Sequence, residues 1–314
     1  MGFNKNYWAL ILGGSSGFGL ATAQKLSEHG MNICIVHRDR KGNMPRIQPM
    51  FDAVKANGVE IVTYNVNALA QDEMEKVLLD LKEKMGANGR IHMMLHSIAY
   101  GNLKLLAPEE SPGENPNADL MKQLSESLGI EAEVLQSKVD ELFHEGAAAL
   151  AGIASPAKYD NQNFLEEEDF TLTVHSMGTS LAMWVRGVFQ YQLFADDARV
   201  LALTSEGNEI SWKGYAAVSA AKVALEAVAR AIAVEYAPYG IRANIIQAGV
   251  TDTPALRLIP GSTHLKASAV TRNPYKRLTT PKDVANFIYL MCQDEAAWVN
   301  GNIIRVDGGE HISG

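Results

Sequence analysis

Short, continuously apolar runs alternate with amphipathic stretches over roughly the first hundred residues. The first run, 7–12, has the length and composition of one buried strand and leads directly into a glycine-rich loop. The stretch that follows, 20–29, has apolar residues at helical spacing and ends at Gly30. The same reasoning predicts further strands at 32–36, 60–66 and 91–95 and further helices at 49–57 and 71–85. This alternation is typical of βαβ crossovers and a parallel sheet.

The alternation stops between about residue 107 and residue 169, where no apolar run long enough for a strand occurs. Turns that contain proline or glycine and two helical stretches, 119–128 and 131–145, fill this segment. The alternation then resumes, with helices predicted at 170–194, 215–236 and 281–292 and strands at 199–204, 242–247 and 303–306. We therefore predict the α/β class: a Rossmann-type doubly wound parallel sheet in a single domain, 1–314, that carries a mainly helical insertion at 107–165.

Charge separates the insertion from the rest of the chain. Residues 107–170 hold 15 acidic and 3 basic side chains, a net charge of −12, so the remainder of this −8 chain carries +4. The balance gives no support to a nucleic-acid partner, and no apolar stretch approaches the ~18 residues that cross a bilayer. The N-terminus has no signal-peptide pattern, which favours a cytoplasmic protein. Cys34 and Cys292 lie in separate apolar runs, so we expect buried free thiols and no metal site.

The loop after the first strand has the pattern G-x-x-x-G-x-G. Glycines at this point let backbone N–H groups approach a pyrophosphate, and the following helix N-terminus adds partial positive charge. A glycine motif alone also fits a merely structural turn, but here it stands between a strand and a helix at the start of a βαβ unit. We predict a dinucleotide site whose loop residues are Gly13, Ser15, Ser16, Gly17, Phe18 and Gly19.

The end of the second strand distinguishes between the two nicotinamide cofactors. NAD sites place an acid there for the ribose 2′-hydroxyl, whereas NADP sites place an arginine nearby for the 2′-phosphate. In this chain His37 occupies the position of the acid, and Arg38 follows it. Asp39 is the counter-argument, because it reaches the hydroxyl if the strand runs two residues longer. A solvated charge cluster is a further reading. We predict NADPH rather than NADH as the cofactor.

Tyr215 and Lys222 stand seven residues apart at the start of a predicted helix. Two helical turns place both on one face. A phenol near an ammonium and a nicotinamide ribose can donate a hydrogen bond or proton to a developing oxyanion, and the ammonium favours the phenolate. An ordinary helix with one aromatic residue and one lysine fits the spacing equally well when these two residues are considered alone.

Together, these motifs resemble the short-chain dehydrogenases/reductases outside the insertion. The glycine loop matches that family's T-G-x-x-x-G-x-G, with Leu12 in place of threonine. Further matches are Asn65-Val66 for an adenine-contacting Asp-Val, His96-Ser97-Ile98-Ala99 for N-N-A-G, 248–253 for P-G-x-x-x-T and 307–309 for the C-terminal signature. The resemblance implies cofactor contacts from Asn65, Val66, Ser97, Ile98, Ala99, Lys222, Gly249, Val250 and Thr253.

The departures from the family pattern indicate one branch of the family. Most members have Y-x-x-x-K, but Val218 stands four residues before Lys222. The spacing Tyr215-x6-Lys222 resembles the enoyl-acyl-carrier-protein reductases, and 252–256 and 273–277 are most similar to their NADPH-using bacterial members. Ser205 stands seventeen residues before Lys222, where the wider family keeps a catalytic serine. That match keeps a carbonyl or hydroxyl substrate open, such as a 3-oxoacyl thioester, a ketone or a sterol.

The resemblance implies reduction of the 2,3 double bond of an enoyl thioester in fatty acid biosynthesis. Tyr215 stabilises the enolate oxygen, Lys222 binds the nicotinamide ribose and lowers the phenol's pKa, and Ser205 gives a second hydrogen bond. The thioester partner is carried by acyl carrier protein or coenzyme A, and the assembly is a homotetramer. His175 stands where many members have a functional asparagine, but we leave it outside the site. We expect the insertion to be a lid, a surface elaboration or an oligomer contact.

Overall fold

One parallel sheet organises the structure, a computed structural model that describes residues 2–109 and 117–313. Within these residues the sheet has seven strands in the order β3-β2-β1-β4-β5-β6-β7. The strands are β1 (Tyr7–Leu12), β2 (Asn32–His37), β3 (Ile61–Asn65), β4 (Arg90–His96), β5 (Phe194–Thr204), β6 (Ile241–Ala248) and β7 (Ile303–Val306). The strand order reverses between β1 and β4, and ligands of open α/β sheets bind in the crevice at such a reversal. The predicted Rossmann-type fold is confirmed.

Helices connect the strands and cover both faces of the sheet. Those of the described residues are α1 (Gly17–Ser27), α2 (Met44–Lys55), α3 (Gln71–Met85), α4 (Ala118–Leu128), α5 (Ala132–His144), α6 (Glu167–Val174), α7 (Ser180–Gln190), α8 (Ala216–Glu235), α9 (Ser262–Arg272) and α10 (Pro281–Met291). None of these helices is both long and apolar enough to cross a membrane.

The central strands are apolar on both faces because each face packs against helices. In β1, Leu10 and Leu12 join a buried cluster with Trp184 of α7. Ala9 and Ile11, which alternate with them, join a second cluster on the opposite face, with α1 and α10. Continuous apolar runs are therefore the correct signal for these strands. Cys34 and Cys292 are buried and unpaired, as expected.

The predicted helix 170–194 is wrong as a single element. It consists of α6, a π-helical turn over His175–Thr179, and α7, which ends at Gln190. Phe194 belongs to β5 and pairs with Ile91, so this strand also begins five residues earlier than predicted. The apolar spacing continues past the helix end because a buried strand follows almost at once. Gln192, with a φ of 57°, makes the turn between them.

Two other helices differ from the prediction. The helix predicted at 49–57 begins at Met44, because Pro49 lies inside the helix and not at its start. The helix α9 has no counterpart among the predicted helices. This helix has only two buried residues, Ala267 and Ala269, so its sequence shows little apolar periodicity.

The two helices predicted within the insertion are confirmed as α4 and α5. The insertion leaves and rejoins the fold through a bridge between Leu105 and Phe164. Phe143 of α5 is buried in a cluster with Met121 of α4 and Ala267 of α9, and its ring centroid lies 4.7 Å from that of His264. The described part of the insertion therefore packs against α9.

Candidate active site

The glycine loop lies at the carboxyl end of β1, beside the strand reversal. Gly13 has a φ of 84°, and a Cβ there would lie 2.5 Å from the Ser97 carbonyl oxygen. A Cβ on Gly19 would lie 2.3 Å from the Gly13 carbonyl oxygen. Gly17, the first residue of α1, has a φ of 52°. The loop is compact only because these side chains are missing, and its backbone is therefore accessible to a ligand.

The N-terminus of α1 is open for an anion. Ser16 is the N-cap residue, but its side chain makes no capping hydrogen bond, and the first turn has no acidic residue. The free N–H groups and the helix dipole at this point suit a pyrophosphate. Thr253 faces Gly17 from the other side, since a Cβ on Gly17 would lie 3.4 Å from its methyl group. Ser15 and Phe18 are partly buried in the same loop.

The segment after β2 is held to the end of β3. The Asn65 side chain accepts a hydrogen bond from the Asp39 N–H and donates one to the Asp39 carbonyl, both at 3.0 Å. The Val66 N–H donates to the His37 carbonyl at 2.9 Å. Both groups of the Asn65 amide are thus bonded to the Asp39 backbone, whereas the sequence predicted a contact with adenine. The Arg38 guanidinium lies 4.9 Å from the centre of the Tyr100 ring.

The residues after β4 form the floor of the crevice. The Ser97 N–H donates to the Leu12 carbonyl at 2.9 Å, and the Ser97 carbonyl lies against Gly13. Ile98 packs on the core, whereas Ala99 is exposed. His96 is buried and its Nε2 lies 2.8 Å from the Ser180 hydroxyl. Burial and the nearby Lys222 charge lower the pKa of His96 to about 3, so this imidazole is neutral.

Tyr215 and Ser205 come together at the carboxyl end of β5. Their hydroxyl oxygens are 3.5 Å apart. Tyr215 immediately precedes α8, and its ring packs on Gly207, where a Cβ would lie 2.5 Å from the ring. Burial raises the pKa of Tyr215, and the Ser205 hydrogen bond opposes this rise only in part. The phenol therefore keeps its proton at neutral pH.

Lys222 lies on α8, the helix that Tyr215 immediately precedes. Its Nζ donates to the Leu203 carbonyl at 2.8 Å, and the residue is 7% exposed. Burial lowers the pKa of Lys222 to about 8, against the raising effect of Glu226. The expected lowering of the phenol's pKa by Lys222 is not seen, because burial governs the pKa of Tyr215.

Glu226, one helical turn beyond Lys222, was not among the predicted site residues. Its carboxylate is buried and accepts hydrogen bonds from Thr204 at 2.6 Å and Asn208 at 2.8 Å. The signal in the sequence is the i, i+4 spacing from Lys222, which places the carboxylate and the ammonium on the same face of the helix.

The depressed pKa of Lys222 predicts a pH-dependent stability difference. An unfolded lysine takes up a proton near pH 10.5, whereas the folded one does so only near pH 8. The contribution of Lys222 to the free energy of unfolding is therefore largest above pH 10.5 and decreases as the pH drops to about 8. The free energy of unfolding of the wild type, minus that of Lys222→Met, should rise from pH 8 to pH 10. Denaturant unfolding at both pH values measures it, and a difference independent of pH contradicts it.

A clamp of charged residues joins α9 to the site. Arg272 of α9 makes two 2.8 Å hydrogen bonds to Glu206, which follows Ser205. Its guanidinium also lies 3.6 Å from Glu310, whose carboxylate accepts a 3.3 Å hydrogen bond from the Val250 N–H. Burial raises the pKa of Glu310. These contacts join segments far apart in the chain, and no local sequence pattern indicates them.

The loop after β6 completes the crevice. Gly249 is needed there because a Cβ would lie 2.4 Å from the Thr279 hydroxyl. The Thr253 hydroxyl accepts a hydrogen bond from the Leu256 N–H at 3.2 Å. The structure thus brings the predicted loops at 13–19, 97–99 and 249–253 to one edge of the sheet, beside Tyr215. In the described residues, no three His, Cys, Asp or Glu side chains form a group that could hold a metal ion.

Comparison with known proteins agrees with this geometry. Residues 7–108 match the family profile described as short chain dehydrogenase, and residues 131–311 match the one described as Enoyl-(Acyl carrier protein) reductase. The chain belongs to the short-chain dehydrogenase/reductase superfamily and is an oxidoreductase. Within the superfamily it resembles the enoyl-acyl-carrier-protein reductases.

Solved structures share the fold along almost the whole chain. FabI from Candidatus Liberibacter asiaticus has a TM-score of 0.72 at 20% identity, covering 99% of this chain and 98% of that one. The enoyl-[acyl-carrier-protein] reductase (NADH) from Aquifex aeolicus VF5 has a TM-score of 0.69 at 21% identity, covering 98% and 97%. The glycine cradle and open helix N-terminus fit a nicotinamide dinucleotide, which this fold binds as NAD(H) or NADP(H).

A curated relative is similar over a shorter stretch. The 1-cyclohexenylcarbonyl-CoA reductase from Streptomyces collinus is 32% identical over 146 residues, which are 44% of this chain and 52% of that protein. The chain thus spans about half the length of this relative, and the same holds for two further curated relatives.

Proposed function

We propose that the protein is an NADPH-dependent reductase of the 2,3 double bond of an enoyl thioester. The observation that carries this proposal is the position of Tyr215, whose hydroxyl lies 3.5 Å from that of Ser205. Val218, at the usual tyrosine position of the superfamily, is buried against Met177 and Ala221 and has no proton to donate. The phenol for the reaction must therefore come from Tyr215.

The chain's own groups suit stabilisation of an enolate. The cofactor, when bound, supplies the hydride to the β-carbon. Charge then accumulates on the thioester oxygen, and Tyr215 donates a hydrogen bond or its proton to that oxygen. Its raised pKa keeps the proton available. Ser205 would support the phenol, and Lys222, whose Nζ donates to the Leu203 carbonyl, would bind the nicotinamide ribose.

The proposed residue roles include those of the cofactor loops. The N–H groups of Ser15–Gly19 would hold the pyrophosphate. The N–H groups of Gly13 and Val250 donate to the Val36 carbonyl and the Glu310 carboxylate, so these two residues would line the site without donating to the cofactor. Arg38 would take the 2′-phosphate of NADPH by a bidentate pair. The name of the Streptomyces collinus relative supports an enoyl thioester as the substrate class. A 1-cyclohexenylcarbonyl thioester has a double bond conjugated to its carbonyl group.

Two substrates separate this proposal from its alternative. The Ser205–Tyr215 pair also suits a carbonyl substrate, which makes reduction of a 3-oxoacyl thioester the second candidate. We expect NADPH oxidation with crotonyl-CoA to give butyryl-CoA, and slow or no oxidation with acetoacetyl-CoA. Turnover of acetoacetyl-CoA alone would replace the proposal by its alternative, and turnover of neither would reject both.

The helical insertion is proposed as a lid over the acyl chain. It begins near the carboxyl end of β4, where ligands of such sheets bind, and packs on α9 through Phe143. The net charge of −12 over residues 107–170 repels an acidic acyl carrier, so the carrier would dock on the basic remainder of the chain. We expect the chain to form tetramers.

The lid proposal predicts a change in substrate affinity on loss of Phe143. Phe143→Ala removes a ring that is 1% exposed and should loosen the contact with α9, since such truncations cost about 3–5 kcal/mol of local packing. We expect a higher KM for a long-chain enoyl thioester and an unchanged Kd for NADPH. Leu128→Ala, at an exposed position of α4, is the matched control. An unchanged KM for every chain length would exclude the lid.

A further inference from the structure

The side chains after β2 separate into two groups. His37 and Asp39 turn towards each other, with the His37 Nδ1 at 3.0 Å from an Asp39 carboxylate oxygen. The His37 side chain is 2% exposed, and its ring packs edge-on against Phe51 at 5.4 Å. Arg38, between them, extends instead to the ring of Tyr100, beyond β4. Arg38 therefore spans from β2 towards the segment after β4, across the mouth of the crevice.

The backbone also keeps Asp39 in place. Its N–H and carbonyl are both bonded to the Asn65 side chain, which stands at the end of β3. His37 is itself the last residue of β2 and pairs with Asn65 in the sheet. Rotation of the Asp39 carboxylate towards the crevice would break its hydrogen bond and leave the buried His37 Nδ1 without a partner, which costs free energy.

An acid at this edge of the sheet decides between the two cofactors. A free carboxylate accepts the ribose 2′-hydroxyl and repels a 2′-phosphate by like charge. The His37 Nδ1 lies 3.0 Å from one oxygen of the Asp39 carboxylate and holds this side chain beside β2. What remains for the cofactor at this edge is the guanidinium, which forms bidentate pairs with phosphate.

We infer that His37 determines cofactor specificity: it withdraws the Asp39 carboxylate from the adenosine ribose pocket and thereby leaves a site for a 2′-phosphate. His37 is a positioning residue here, because it acts through Asp39. The inference rests on the NADPH preference within the proposed function. It concerns binding alone and is independent of which thioester is reduced.

The test compares dissociation constants of NADPH and NADH, measured by nicotinamide fluorescence, with 2′,5′-ADP as a competitor without nicotinamide. His37→Leu removes the N–H and frees the carboxylate, so the NADPH-to-NADH preference should fall about tenfold or more, and 2′,5′-ADP should bind more weakly. His37→Asn keeps an N–H near the position of Nδ1 and should retain most of the preference. In the double variant His37→Leu/Asp39→Asn, the Asp39 carboxylate is absent, so the NADPH-to-NADH preference should be restored.

Two variants keep the result decisive if His37→Leu does not fold. Asp39→Asn alone should leave the NADPH preference intact or increased, because the acid takes no part in binding. Asp52→Asn removes an exposed acid of α2 outside this pair and should change nothing. If the wild type prefers NADPH, two results overturn this inference but not the proposed function. One is an unchanged cofactor preference in His37→Leu, and the other is a weaker affinity for NADPH in Asp39→Asn. A wild type that prefers NADH instead overturns the cofactor of the proposed function.

Discussion

Tyr215→Phe should lower kcat for crotonyl-CoA reduction by about 10²- to 10⁴-fold, the range that loss of a positioned proton donor produces. The variant keeps the ring that packs on Gly207 and removes only the hydroxyl that lies 3.5 Å from Ser205. The enolate oxygen then loses its main hydrogen-bond donor. The Kd for NADPH should stay within about twofold, since the phenol stabilises only charge that develops during the reaction. Stopped-flow single-turnover kinetics and fluorescence titration measure the two quantities.

Two further variants separate the phenol's role from a general effect. Tyr239→Phe, at an exposed position outside the site, should leave kcat unchanged. Ser205→Ala should lower kcat less than Tyr215→Phe does, because the serine supports the phenol and does not replace it. If Tyr215→Phe kept the wild-type kcat, Tyr215 would not be the proton donor, and the proposed mechanism would have none.

Gly19→Ala should weaken binding of the dinucleotide by about 10²-fold or more, which corresponds to roughly 3 kcal/mol. The new Cβ would lie 2.3 Å from the Gly13 carbonyl oxygen and 2.9 Å from the Gly14 Cα. Both atoms are backbone, so the loop itself must shift, and its N–H groups lose their alignment with the pyrophosphate. Isothermal titration with NADPH gives the affinity, and thermal unfolding of the free protein gives the accompanying loss of stability.

Gly42→Ala is the matched control for the glycine loop. It lies near the same edge of the sheet, has no positive φ, and has no atom within 4 Å of the added Cβ. We expect wild-type affinity and wild-type stability from it. If Gly19→Ala bound NADPH as tightly as Gly42→Ala does, the loop would not hold the cofactor.

The sequence predicts the central strands well because they are buried on both faces and stand out as apolar runs. It fails where the same signal continues across an element boundary. Phe194 keeps the apolar character of the preceding helix, although the turn at Gln192 has already ended that helix. It also fails for α9, whose packing partner is the insertion and whose small buried residues leave little periodicity.

The candidate site divides in the same way. Tyr215 and Lys222 could be proposed because seven residues are two helical turns, and Ser205 could be proposed only through the family resemblance. The clamp of Arg272, Glu206 and Glu310 could not, since its members meet only through the tertiary fold. The pairing of His37 with Asp39 also depends on rotation of side chains two residues apart, which apolar spacing does not encode.

Transfer of an isotope from the cofactor to the substrate tests the central claim most directly. NADPH that carries deuterium at the transferable position of C4 should react with crotonyl-CoA to give butyryl-CoA with one deuterium on the β-carbon, as read by mass spectrometry and NMR. The contrary result has two parts: crotonyl-CoA stays unreacted and unlabelled, and acetoacetyl-CoA is converted to 3-hydroxybutyryl-CoA with deuterium on its β-carbon. That result would contradict double-bond reduction and assign the site to carbonyl chemistry.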